Sequence, residues 1–88
     1  MFISRKSRLS TNFVSKASII LGPTVVEENT ILDPNIILGY PTRRNLRENL
    51  RTGFSSLYDL LDQISHGCRI GKNCHIRSGT VIYEISTL

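Results

Sequence analysis

Ile20-Leu21-Gly22-Pro23-Thr24-Val25, Val26-Glu27-Glu28-Asn29-Thr30-Ile31, Leu32-Asp33-Pro34-Asn35-Ile36-Ile37 and Leu38-Gly39-Tyr40-Pro41-Thr42-Arg43 are four consecutive blocks of six residues. The first place of each block is aliphatic (Ile20, Val26, Leu32, Leu38), and the fifth is small or β-branched (Thr24, Thr30, Ile36, Thr42). An amphipathic helix repeats its apolar residues about every 3.6 positions and a half-buried strand about every second one, so neither explains a strict period of six. Repetition at a fixed period signals short units that stack on one another.

The phase extends backwards through Val14-Ser15-Lys16-Ala17-Ser18-Ile19 and Ile3-Ser4-Arg5-Lys6-Ser7-Arg8, and the segment from Leu9 to Phe13 fits if one residue is missing. The N-terminus is therefore predicted to be the first coil of the stack. Forwards, the period lapses after residue 42. Leu46, Leu50, Phe54, Leu57, Leu61 and Ile64 follow at helical spacing, interrupted by Gly53. Ser55 or Ser56 can cap a helix there, Asp59 suits its first turn, and Gly67 stands where a helix C-terminus favours glycine. The expectation is an insertion over residues 43–67, leaving from a corner, with a basic first half and a short helix over about Ser56 to Ile64. The phase then resumes in blocks opening at Ile70, Ile76 and Ile82, with Leu88 at the start of an unfinished one. One domain spanning 1–88 results, with coils over about 3–42 and 68–88.

Side chains of a short strand alternate between faces, so the first place and the fifth place before it point inward together and the sixth points out. The remaining places form a corner. Corners need residues that accept unusual backbone angles, and Asn29, Asn35, Asn73 and Gly79 all stand in the fourth place. Three blocks make a triangular turn of 18 residues, which predicts that Val14 stacks under Leu32 and Ile20 under Leu38. The fold class is mainly β: a parallel β-helix of about three coils, the architecture that hexapeptide repeats mark. The outward residues of the first block, Ile19, Val25, Ile31 and Ile37, are all aliphatic, whereas Arg69, His75 and Val81 follow in the second. An apolar row facing out predicts a partner, either the inserted helix or another copy of the chain.

Composition excludes several classes. The chain has 88 residues and a net charge of +4, concentrated in Arg5, Lys6, Arg8 and Lys16 and in Arg43, Arg44, Arg47 and Arg51. No acidic residue precedes Glu27. A basic, Ser-rich beginning is compatible with an organelle transit segment, but the repeat reaches into it. The basic residues are not interleaved with aromatics and form no nucleic-acid reader motif, so no nucleic-acid partner is expected. No apolar run approaches the roughly 18 residues that cross a bilayer, so no membrane partner is expected either. Cys68 and Cys74, both on the small inward phase, match neither a disulfide framework nor a zinc spacing; they read as buried free thiols of a reducing cytoplasm.

The stretches Leu38-Gly39-Tyr40-Pro41-Thr42 and Ile70 to Glu84, placed on either side of an insertion, resemble the hexapeptide-repeat acyltransferases, and nearly the whole chain is covered. The resemblance is to the branch that acylates sugars or sugar nucleotides. It implies a left-handed parallel β-helix, trimers, and acetyl-CoA or another acyl-CoA as co-substrate, with no metal. It also implies a histidine general base in a Thr-Gly-His-like segment lying beyond residue 88. No such segment occurs here, so no catalytic residue is carried over and the chain reads as an N-terminal piece of a longer enzyme, not competent alone. The remaining site candidates are His75, on an outward place, and Arg77 and Tyr83, on corner places that could line a substrate groove. Arg43, Arg44 and Arg47 could meet a phosphate. The plainer reading of each is a solvated surface position, as it is for His66 at the end of the insertion. A γ-type carbonic anhydrase needs three histidine ligands, which two histidines at this spacing do not supply. The competing reading is a non-catalytic β-helix module that assembles through Ile19, Val25, Ile31 and Ile37.

Overall fold

A computed structural model describes all residues 1–88. Its strands are β1 (Phe2–Ile3), β2 (Arg8–Leu9), β3 (Ile19–Ile20), β4 (Val25–Val26), β5 (Ile31–Leu32), β6 (Ile37–Tyr40), β7 (Arg69–Ile70), β8 (His75–Ile76) and β9 (Val81–Tyr83). Two helices, α1 (Arg43–Asn49) and α2 (Leu57–Ile64), separate β6 from β7. The strands form three sheets, ordered β1-β3-β6-β9, β2-β4-β7 and β5-β8, and every pairing is parallel. The chain visits the three sheets in rotation, so each strand pairs with the one a full circuit away.

The register follows the six-residue blocks. Ile20 pairs with Leu38, and Val14 bridges Leu32, each 18 residues on. Leu9 pairs with Val26, only 17 residues on, so the missing residue of the first circuit lies between Leu9 and Val14. Seven of the nine residues in the innermost cluster are first-place aliphatics (Ile20, Val26, Leu32, Leu38, Ile70, Ile76, Ile82); Ile36 and Cys68, from fifth places, complete it. Burying each such side chain contributes about 1.5–3 kcal/mol. The fifth-place threonines tie one circuit to the next. Thr24 Oγ1 accepts from the Cys68 amide at 3.1 Å, and Thr30 Oγ1 accepts from the Cys74 amide at 3.2 Å while donating to the Gly71 carbonyl at 2.7 Å. Cys68 is buried, whereas Cys74 is only half-buried, because residues 86–88 pair over β7 while no further segment pairs over β8.

The corners turn as their composition requires. Asn29, Asn35, Asn73 and Gly79 all have positive φ, between 58° and 83°. Ile85 occupies the same fourth place in the last block with φ 69°, a conformation that a β-branched residue strongly disfavours.

Expectations for the outward row and for the insertion need correction. The outward aliphatics do not make one continuous row, because successive blocks fall on successive sheets: Ile19 and Ile37 lie on the first, Val25 on the second and Ile31 on the third. The apolar column that does exist is Phe2, Ile19, Ile37 and Val81, in register across all four strands of the first sheet. Secondly, the basic first half of the insertion is itself helical: Thr42 caps α1 by accepting from the Asn45 amide at 3.3 Å.

The insertion leaves at Gly39, whose left-handed backbone (φ 78°) makes a bulge between Leu38 and Tyr40; a side chain there would run into the Leu21 carbonyl. Ser56 caps α2, and the Ser55 and Ser56 hydroxyls hold the Asp59 carboxyl below the usual range. Leu60, Leu61 and Ile64 form its buried face. The helix packs along the corner between the first two sheets. There the Asp62 carboxylate accepts from the Gly22 amide at 2.7 Å, the Asp62 carbonyl accepts from Lys6 Nζ at 2.9 Å, and Ser65 Oγ donates to the Gly39 carbonyl. Leu21, fully buried, is the one aliphatic second-place residue of the first blocks and lies at this corner. Gly67 does not end the helix, which closes at Ser65 in extended conformation; its positive φ lets the chain pass close over the Pro23 backbone.

Candidate functional site

Alternation places His75 outward on β8, and parallel pairing with β5 sets it beside Ile31 and within reach of Asp33. His75 Nε2 lies 2.8 Å from Asp33 Oδ1, and Arg77 Nε lies 3.9 Å from Asp33 Oδ2. An ionised carboxylate only accepts, so Nε2 carries the shared proton, and the tautomer that this selects for an uncharged ring has its lone pair on Nδ1. The hydrogen bond from His75 is the main cause that holds the Asp33 carboxyl below its ordinary range against a smaller desolvation, and Arg77 contributes least. This is an imidazole oriented by a carboxylate, the arrangement that fixes a tautomer for proton transfer. It is open to solvent: 46% of the His75 side chain and 79% of the Arg77 side chain remain exposed.

The other candidates lie elsewhere. Tyr83 belongs to the first sheet and stands edge-on to Tyr40, ring centroids 6.1 Å apart, so it does not share a groove with His75 and Arg77. Arg43, Arg44 and Arg47 are exposed on α1, and Arg44 pairs with Glu48 at 3.1 Å. His66 has an exposed side chain, but its backbone amide is engaged. No three His, Cys, Asp or Glu side chains converge to hold a metal ion, and no helix is long and apolar enough to cross a membrane.

Sequence reasoning passed over Glu84, the most constrained carboxylate of the chain, which is only 3% exposed. Oε2 accepts from the Thr42 amide at 2.7 Å and Oε1 from the His66 amide at 2.8 Å; Asn45 Nδ2 donates to both oxygens at 2.9 and 3.0 Å. Burial pushes this carboxyl up, but the combined hydrogen bonds outweigh it and hold the group below its ordinary range. Thr42 and His66 are the two ends of the insertion, so one carboxylate gathers both. The available signal was composition: Glu84 is the one acidic residue after Asp62, set among apolar neighbours.

Two shallow clefts adjoin this point and share His66 and Ile85. One, of about 170 Å³, is lined by Thr42, Arg44, Asn45 and Glu84 among others. The second, of about 230 Å³, lies over Pro23, Cys68, Arg69 and Ser86. Comparison of the chain with protein-family models, curated proteins and solved structures finds no match.

Proposed function

We propose that this chain is a left-handed parallel β-helix of the hexapeptide-repeat acyltransferase kind, acting in transfer of an acetyl or other acyl group from acyl-CoA to a sugar or sugar nucleotide. The observation that carries the reading is the 18-residue parallel register, repeated on three sheets with left-handed asparagine and glycine corners. His75 is the side chain suited to the chemistry. Its Nδ1 would take the proton from an acceptor hydroxyl or amine as that atom attacks the thioester carbonyl, while the C–S bond breaks and coenzyme A leaves as the thiol. Asp33 would hold the ring and balance its charge. Arg43, Arg44 and Arg47 offer guanidinium groups for the cofactor's phosphates.

The chain is proposed to work as a homo-oligomer, a trimer by the same resemblance, with the Phe2, Ile19, Ile37 and Val81 column as the contact surface. That column also favours a second reading, a non-catalytic assembly module. Thermal unfolding with and without millimolar acetyl-CoA, combined with light scattering, separates the two. A raised Tm that His75→Ala leaves intact supports the first reading. An unchanged Tm in an oligomer of defined mass supports the second.

A further inference from the structure

The two helices of the insertion are attached to the coils by different means. α2 buries Leu60, Leu61 and Ile64 and is anchored through Asp62 and Ser65. In α1 the only buried residue is Asn45, while Leu46 is half-buried and every residue from 47 to 58 is exposed. Its hold on the molecule runs chiefly through one amide: Asn45 Nδ2 donates to Glu84 and, at 2.9 Å, to the Ile64 carbonyl. Asn49 Nδ2 donates to Asn45 Oδ1 at 2.7 Å, which turns the Asn45 amide so that its NH₂ faces the carboxylate.

We infer that α1 is a flap caught by Asn45 on Glu84, opening as a unit over residues 43–50 while the coils and α2 stay folded. Elements with few buried apolar contacts open at lower free energy than a packed core, and a polar catch lets them reclose without burying new apolar surface. Opening uncovers Glu84 and takes apart the shallow cleft of about 170 Å³ that Arg44, Asn45, Glu48 and Asn49 of α1 form with His66, Glu84 and Ile85. It also moves Arg43, Arg44 and Arg47, which ride on the helix.

Native-state amide exchange on the full chain tests this. The amides of Leu46 and Leu50, which donate to Thr42 and Leu46, report on the flap. Those of Leu21 and Ile37, which donate to Leu38 and Thr80, report on the coils. In the wild-type chain the flap amides are expected to be protected at least about a hundredfold less than the coil amides, with little dependence on denaturant. Asn45→Ala should speed flap exchange about a further tenfold and leave the coil amides unchanged, as expected for loss of a hydrogen bond to a charged group. Equal protection of flap and coil in the wild-type chain would overturn the inference. So would an Asn45→Ala effect that is shared by both regions, or one absent from the flap.

Discussion

Leu32 and Asn45 are both buried, yet they are held in opposite ways. Leu32 lies in a column of aliphatic side chains, with Val14 in one neighbouring circuit and Ile76 in the other. Asn45 lies against a carboxylate and a carbonyl. The coils rely on many equivalent apolar contacts of modest value, the insertion on a few specific polar ones. Loss of one contact from the first kind leaves a cavity; loss of one from the second leaves an unsatisfied charge or donor.

The largest effect should come from breaking the column. Leu32→Ala is expected to cost about 2–5 kcal/mol in denaturant unfolding, because close neighbours above and below limit collapse into the space. Glu84→Gln should cost somewhat less, about 2–3 kcal/mol, since an NH₂ would then face amide donors. It should also change the pH profile. The Glu84 carboxyl is held below the ordinary glutamate value of 4.5, so its stabilisation is present in full above that value and lost as pH falls through the native one. The variant should therefore unfold with a flatter acid limb.

Two smaller changes sharpen the comparison from within the coils. Ile85→Asn places at the last corner the residue type found at three others, and should stabilise by about 1 kcal/mol, read as a Tm rise of about 4–8 °C. A lower Tm would mean that the exposed isoleucine contributes contacts of its own. Ser18→Ala should be neutral or stabilise by up to about 1 kcal/mol, because the Ser18 hydroxyl is fully buried with no hydrogen-bond partner; its inward neighbour one circuit on is Ile36. A measurable loss of stability in urea would contradict that account.

These differences also explain what could be read from the residues alone. The coils were legible because each block repeats the same solution, so register, inward places, corner residues and the short first circuit all followed from phase. Which outward side chains share a face was misread, because a six-residue period on three sheets returns to the same face only every third block. The insertion has no repeat to average over. Leu46, Leu50 and Phe54 suggested an apolar stripe, but α1 is seated by Asn45, whose partner lies 39 residues away. Likewise the pairing of His75 with Asp33 joins residues 42 apart, visible only once the circuits are stacked. Leu21 and Glu84 were faint signals: an aliphatic residue at a corner place and a single carboxylate in an apolar stretch.

The central claim is the parallel stacking of circuits, and inter-strand nuclear Overhauser contacts test it most directly. Contacts joining the backbones of Ile20 and Leu38, Val14 and Leu32, and Val26 and Ile70 are expected in parallel register. Antiparallel contacts between neighbouring blocks, or none at these separations, would contradict it.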